Sequence, residues 1–344
     1  MINRVLVVGL GSAGGRHLRL ARKLLPDAEI RTLSHREPVN RPDNADGCVD
    51  SIEEALSFNP EIAVIANPST MHVRIATELA NAGVHLLIEK PLSSSIEGVL
   101  ELIEICKAKS VVLSVGYNLR FSESLLHFKK VIGEGTIGKV LSVRCEVGQY
   151  LPSWRPESDY RETVSAQREL GGGVLLELSH ELDYLRWIFG EVNWVRATLS
   201  KQSKLEIDVE DSAHLILGFA PTADDFQLIA KLDLDFIRHD RTRSCAAIGE
   251  AGTIHWDGIK NEVRLFPLNS SDWTLLHGMP AQSDDSYLGE WSNFLESVKA
   301  REVPLSNGES GLRVLEIIEA ARVSSHNGLQ TFVTTNALDM VGDN

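Results

Sequence analysis

The sequence is poor in cysteine and in long apolar runs, and it has no excess of positive charge. Its four cysteines are scattered through 344 residues without a CxxC pair, which excludes a disulfide framework and a zinc ribbon. We therefore expect reduced thiols, no metal site and a cytoplasmic protein. No apolar stretch reaches the roughly twenty residues of a transmembrane helix, and glycines interrupt the first apolar run too early for a signal peptide. With a net charge of −14, neither a membrane nor a nucleic acid is expected as a partner.

What the chain does have is enough length for two domains. Up to about residue 120, continuous apolar runs alternate with helical patterns, which predicts a doubly wound parallel sheet covered on both faces. From about residue 138 the pattern changes to successive strand-like segments, at 139–150, 192–203, 209–219, 226–238, 242–250, 253–257 and 261–266. One helix (174–189) interrupts them and two helices (286–300 and 309–325) close the chain. We predict an α/β N-terminal Rossmann domain over residues 1–121. An α+β C-terminal domain with a large, mostly antiparallel open sheet is predicted over 122–344.

A glycine motif follows the first predicted strand directly. The apolar run 4–8 leads into Gly9-Leu10-Gly11-Ser12-Ala13-Gly14, and a helical segment comes next. In a GxGxxG turn between strand and helix, the first glycine makes the tight turn. The second lets the backbone approach a pyrophosphate, and the third lets the helix pack on the strand. The sequence therefore predicts a dinucleotide site, with Ser12 and Ala13 at the helix N-terminus that faces the phosphates.

The end of the second predicted strand indicates which dinucleotide is preferred. An enzyme specific for NAD usually places Asp or Glu there to bind the ribose 2′-hydroxyl. Here the residues are Ser34, His35 and Arg36, and a guanidinium suits the oxygens of a 2′-phosphate. We predict NADP as the preferred cofactor and NAD as the alternative; the other interpretation of Arg36 is a solvated loop arginine.

Three further motifs carry polar or charged side chains suited to catalysis or to ligand binding. Glu89-Lys90-Pro91 follows the strand that ends at residue 88, and ligands bind at such carboxyl ends. The segment 116–121, Gly-Tyr-Asn-Leu-Arg-Phe, follows the last strand of the first domain. The third motif opens with Gly171-Gly172-Gly173, after which Glu177, His180 and Asp183 recur on one side of a predicted helix. Taken alone, the lysine could be a surface residue before a proline turn, and the helix residues a solvated polar stripe.

Together these motifs, in this order, resemble the Gfo/Idh/MocA oxidoreductase family. The resemblance includes residues 66–72, which look like the family's loop beside the nicotinamide ribose. It implies a Rossmann domain, a C-terminal open sheet that often packs against another subunit, and NAD(P)-dependent oxidation or reduction of a sugar or cyclitol. It also implies cofactor contacts by Asn67, Pro68, His72, Glu89, Lys90 and Asn118.

The resemblance assigns the catalytic positions as well. Lys90 matches the family's active-site lysine and His180 its acid/base histidine. The family commonly carries Asp four residues before that histidine, whereas Glu177 stands three residues before it here. We expect all three to be catalytic.

The loop before the third motif is the expected substrate-binding segment. Its aromatic and charged side chains suit a sugar, and its arginines also suit an anionic or nucleotide-linked sugar. The expected substrate contacts are Arg120, Trp154, Arg155, Tyr160, Arg161 and Asp183. Arg238 and Arg241, in the second predicted domain, also suit an anionic sugar.

Two other functions stay open at this stage. The chain could be an enzyme that retains its cofactor and oxidises its substrate transiently during glycosidic cleavage or isomerisation, or a non-catalytic dinucleotide sensor. We also predict a homodimer or homotetramer through the C-terminal sheet. Both faces of the strand 209–219 carry apolar residues, and the predicted helices are too few to cover so large a sheet.

Overall fold

A computed structural model describes residues 2–34, 42–223, 225–280 and 284–334, which form two compact units. Met1–Tyr117 and Glu290–Leu315 make up the first unit, and Asn118–Gly289 and Glu316–Asn344 make up the second. The prediction divided the chain once, after residue 121, so residues 118–121 and 290–315 are grouped differently here. Residues 290–315 join the first unit because Trp291 is fully buried there and its indole N–H donates a hydrogen bond to His17.

The described part of the first unit contains a six-stranded, all-parallel sheet in the order β3-β2-β1-β4-β5-β6. Its strands are β1 (Arg4–Val8), β2 (Glu29–Leu33), β3 (Gly47–Val49), β4 (Ile62–Ile65), β5 (His85–Ile88) and β6 (Leu113–Val115). Its helices are α1 (Ser12–Leu24), α2 (Ile52–Phe58), α3 (His72–Asn81) and α4 (Val99–Ala108). Every residue of β4 is buried, as expected for a parallel strand covered on both faces, and the predicted doubly wound fold is confirmed.

Among the described residues, the second unit contains a nine-stranded sheet in the order β14-β13-β12-β11-β7-β10-β9-β8-β15. Its strands are β7 (Val140–Gly148), β8 (Val192–Ser200), β9 (Ser212–Phe219), β10 (Ile229–Asp235), β11 (Thr242–Gly249), β12 (Gly252–Asp257), β13 (Glu262–Pro267), β14 (Thr274–Gly278) and β15 (Thr331–Phe332). The helices of this unit are α5 (Glu123–Gly133), α6 (Val174–Glu177) and α7 (His180–Phe189). The residues of α8 (Asp285–Ala300) and of α9 (Gly308–Asn327) are divided between the two units. Only the β7–β10 pair is parallel, so the predicted mostly antiparallel sheet is confirmed.

The predicted helix over 174–189 is wrong in one respect, because it is broken. α6 ends at Glu177, and α7 begins at His180 after Leu178 leaves helical geometry with φ −101° and ψ 30°. Glu177 and His180 therefore lie on two helices, and the expected single polar face does not extend through the break. In the second unit, sequence analysis also missed α5, β14 and the two-residue strand β15; in the first unit it missed β3 and α2.

In β9 the burial pattern shows which face is covered. Ala213, Leu215 and Leu217 are buried, whereas His214 and Ile216 on the opposite face are exposed. Among the described residues, no helix is both long enough and apolar enough to cross a membrane.

Candidate active site

The glycine turn after β1 has the geometry that its sequence predicts. Gly9 adopts φ +86°, and a Cβ there would lie 2.6 Å from the backbone nitrogen of Asn67. A Cβ on Gly14 would collide with the carbonyl oxygen of Gly9, so α1 can pack this closely only on glycine. Apart from its chain neighbours, a Cβ on Gly11 would meet no atom of the described residues within 4 Å. The backbone at Gly11, where α1 begins with Ser12 and Ala13, is therefore open to a ligand.

Four loops follow neighbouring strands at the same edge of this sheet. Val8, Ile65, Ile88 and Val115 lie in register at the carboxyl ends of β1, β4, β5 and β6. The glycine turn, the loop that contains Asn67, Glu89-Lys90 and Gly116 follow these strand ends. The first unit therefore collects four predicted segments at one edge, although the last of them, 116–121, only begins there. On the other side of β1, β2 ends at Leu33 and leads to Ser34. The predicted His35 and Arg36 lie outside the described residues.

The Asn67 loop carries polar atoms suited to a ligand. Both polar atoms of the Asn67 amide are buried and have no hydrogen-bond partner among the described residues, as is true of the Ser69 hydroxyl. Pro68 lies between them. Since buried polar groups are normally hydrogen-bonded, these atoms fit a bound dinucleotide that would supply their partners.

His72 joins two of these loops. It is 1% exposed, with Nε2 2.8 Å from the Asn67 carbonyl oxygen and Nδ1 3.1 Å from that of Pro91. Burial lowers its pKa below the usual value, although both carbonyls oppose this shift. The imidazole therefore positions the loops, and a direct cofactor contact by His72 stays a prediction.

Glu89 belongs to a buried cluster that sequence analysis missed. Its Oε1 lies 2.9 Å from His17 Nε2, and its Oε2 accepts a hydrogen bond of 3.1 Å from the Lys90 backbone N–H. Burial raises the pKa of Glu89, but His17 and Lys90 outweigh this and hold it below the ordinary value. Glu290, 1% exposed, also lies in this unit, and burial together with the charge of Glu89 raises its pKa well above normal.

In the second unit, two predicted substrate residues bind each other. Arg120 donates from Nε and Nη2 to the two carboxylate oxygens of Asp183, at 2.9 and 2.6 Å. The side chains are 3% and 2% exposed. Burial raises the pKa of Asp183, while Arg120 opposes the shift. This pair ties residues 118–121 to α7.

The remaining helix residues of the third motif are held separately. Glu177 ends α6 and accepts a hydrogen bond of 2.9 Å from the buried Ser165 hydroxyl. His180 is the first residue of α7 and is half-buried. Asn118, a predicted cofactor contact, is grouped with the second unit and donates its amide to Ser286 at 2.7 Å.

Some residues of the predicted substrate loop lie together around one cleft. Trp154, Arg155 and Tyr160 line one small cleft together with Ser165, the hydrogen-bond donor to Glu177. Arg161 lies apart from this cleft lining, because its guanidinium is held by Asp159 and Glu206. Arg155 is exposed, and among the described residues its side chain has no ion-pair partner.

Two family models match the chain. The "Oxidoreductase family, NAD-binding Rossmann fold" matches residues 3–117, and the "GFO/IDH/MocA C-terminal domain" matches residues 125–255.

Several of the relatives and solved structures that match are named dehydrogenases. Myo-inositol 2-dehydrogenase of Thermotoga maritima is 28% identical over 335 residues, which cover 93% of this chain and 96% of that enzyme. Levoglucosan dehydrogenase of Pseudarthrobacter phenanthrenivorans is 35% identical over 146 residues, only 41% of this chain and 37% of that enzyme. A solved levoglucosan dehydrogenase, in complex with NADH and levoglucosan, superposes with a TM-score of 0.82 at 20% identity. The superposition covers 97% of this chain and 100% of that chain, and it shows a common fold.

Proposed function

This chain belongs to the Gfo/Idh/MocA family of NAD(P)-dependent oxidoreductases, and we propose that it transfers a hydride between nicotinamide and a secondary alcohol of a sugar or cyclitol. The observation that carries the proposal is the shared strand edge of the first unit. There the open Gly11 backbone, the unpartnered Asn67 amide and the Glu89-Lys90 segment follow neighbouring strands in register. Ligands of doubly wound sheets bind at this edge.

The residues present fit a dinucleotide. Backbone N–H groups at the start of α1 would hold the diphosphate, because helix N-termini favour negative charge and this one has no acidic residue in its first turn. The Asn67 amide and Ser69 hydroxyl would bind the nicotinamide half. When bound, the nicotinamide supplies the hydride acceptor, or the hydride donor in the reverse direction.

Two side chains are proposed to act on the reacting hydroxyl group. The hydroxyl proton of the substrate must leave during oxidation, and histidine accepts protons near neutral pH with little adjustment. We assign that role to His180, which returns the proton in reduction. Lys90 would stabilise the negative charge that develops on the reacting oxygen. Glu177, anchored by Ser165, is assigned the orientation of substrate hydroxyls.

Carboxylates pair with three of the five arginines considered for an anionic sugar, which favours a neutral substrate; Arg155 and Arg241 have no such partner among the described residues. Arg120 is bound by Asp183, Arg161 by Asp159 and Glu206, and Arg238 by Glu146 and Asp240. A guanidinium already held by carboxylates has little charge left to attract an anion. The two relatives named above are likewise named for neutral polyols, inositol and levoglucosan.

Kinetics of two alanine variants test the proposed function. The unmodified enzyme is assayed with two neutral substrates, myo-inositol and levoglucosan, and with one anionic substrate, glucuronate. We expect it to oxidise a neutral substrate. Lys90→Ala and His180→Ala should each lower kcat by about 100-fold or more, since general acid–base groups contribute at least that much. Dinucleotide affinity should stay nearly constant. Lys204→Ala, an exposed lysine, is the matched control. Near-normal turnover in either variant would remove that residue from the mechanism.

We also propose that NADP(H) is preferred. The support is the sequence Ser34-His35-Arg36 after β2, which lacks the acidic residue typical of an NAD site. NADP(H) should bind about tenfold more tightly than NAD(H), and Arg36→Ala should remove most of that difference. Fluorescence titration of both reduced cofactors measures it, and equal affinities in the unmodified chain would contradict it.

A further inference from the structure

Three buried polar side chains of the first unit come from distant parts of the sequence. His17 lies on α1, Glu89 follows β5, and Trp291 lies on α8 within the segment that joins this unit. His17 and Trp291 are 0% exposed and Glu89 is 9% exposed. Burying polar groups is costly unless they are hydrogen-bonded, and apolar residues would fill the same volume as well.

The hydrogen bonds among them run in one direction. The Trp291 indole N–H can only donate, and it donates to His17 Nδ1 at 3.0 Å. In the neutral ring, Nδ1 therefore carries no proton, so Nε2 carries it and donates to Glu89 Oε1 at 2.9 Å. Trp291 thus determines the tautomer of His17, and this tautomer orients the Glu89 carboxylate.

The other oxygen of that carboxylate connects the chain of hydrogen bonds to Lys90. Glu89 Oε2 accepts the Lys90 backbone N–H at 3.1 Å. The space around this hydrogen bond is limited, because a Cβ on Gly116 would lie 3.0 Å from Glu89 Oε2 and 3.1 Å from the Lys90 backbone nitrogen. The Lys90 backbone is therefore held by a carboxylate whose own orientation is fixed from α1 and α8.

We propose that Trp291 and His17 are positioning residues that act through Glu89 to hold Lys90 in its working orientation. The proposal rests on the role assigned to Lys90 above. Neither residue needs to contact substrate or cofactor for this effect. Small displacements matter here, because a misplacement of about 1 Å can cost about 100-fold in rate.

The decisive variant is Trp291→Phe, which keeps an aromatic ring in the core and deletes the N–H donor together with part of the indole ring. We expect the Lys90 amide of the cofactor-free protein to exchange its hydrogen about tenfold faster, and kcat to fall about tenfold at unchanged dinucleotide affinity. His17→Gln, which retains a donor toward Glu89, should lose less activity than His17→Leu. Trp273→Phe, at an exposed tryptophan, is the matched control and should change neither quantity.

The pH dependence of kcat separates positioning from general damage to the fold. Glu89 faces His17 on α1, Lys90 on its own loop, Glu290 on α8 and, through its charge, His72 on α3. Trp291→Phe should shift the pH profile of kcat, because the Glu89 carboxylate beside Lys90 is then no longer oriented through His17, whereas general damage to the fold would lower kcat without moving the profile.

The outcomes distinguish this inference from the proposed function. If Lys90→Ala is inactive but Trp291→Phe shows normal exchange at Lys90 and normal kcat, the positioning role is refuted and the role of Lys90 stands. If Lys90→Ala turns over normally, the proposed function fails and the positioning role fails with it. Faster exchange at Lys90 with unchanged kcat would also refute the positioning role.

Discussion

At the scale of single residues, Arg120 and Asp183, two predicted substrate contacts, form a buried ion pair that the fold itself needs. Both side chains are almost fully enclosed and joined by two hydrogen bonds. Removing one partner of such a pair leaves an uncompensated buried charge, which costs more than losing the attraction itself. Substrate contact by these residues stays a prediction, and stability can be tested separately from it.

Asp183→Asn should destabilise the protein by about 3 kcal/mol, because Arg120 keeps its charge and loses its ionic acceptor. Urea unfolding followed by tryptophan fluorescence measures the effect. Asp240→Asn is the matched control, since Asp240 belongs to an exposed pair with Arg238 and its loss should leave the unfolding midpoint nearly unchanged. Unchanged stability of Asp183→Asn together with a raised KM would instead identify Asp183 primarily as a substrate contact.

At the scale of elements, the glycines around the start of α1 have separable roles. Gly14 is required by packing, because any side chain would strike the Gly9 carbonyl. Gly11 has an extended backbone with φ −67° and open space around its Cα, so the fold alone would accept alanine there. Only an approaching ligand explains why this position benefits from glycine.

Gly11→Ala should therefore keep the melting temperature of the cofactor-free protein and weaken dinucleotide binding by about tenfold, or 1.4 kcal/mol. Gly14→Ala should lower the melting temperature as well, since α1 must move away from β1. Differential scanning fluorimetry and cofactor titration together measure both effects. Equal loss of stability in the two variants would contradict the assignment of Gly11 to the ligand.

The elements that were predicted correctly are those encoded by a pattern of neighbouring residues. Strand β1 and the glycine turn follow from a continuous apolar run and a fixed spacing, and β9 follows from its alternation. The break between α6 and α7 could not be predicted, because Leu178 and Ser179 are compatible with a helix and the spacing of Glu177 and His180 suggested one face. The contact between His17 and Trp291 could not be predicted either, because the two residues lie 274 positions apart in the sequence.

At the scale of the whole molecule, the expected assembly depends on the uncovered face of the second sheet. The predicted reason was an apolar face, but the structure shows a mixed one. Ile216, 42% exposed, lies in register between Arg196 on β8 and Lys231 on β10, and Lys231 pairs with Asp233. Such a face suits a two-fold contact in which charges of one copy meet opposite charges of the other.

We expect a homodimer or homotetramer through this face, and Ile216→Arg should disrupt it by placing three positive side chains in one row. Because Ile216 is half exposed in the single chain, the same change should leave the melting temperature of each chain nearly unaltered. Light scattering at micromolar concentration gives the mass, which should drop from a multiple of 37.9 kDa toward that value. Leu268→Arg, at an exposed leucine beyond β13, is the control and should retain the assembly. A mass near 37.9 kDa for the unmodified chain would contradict the expected assembly.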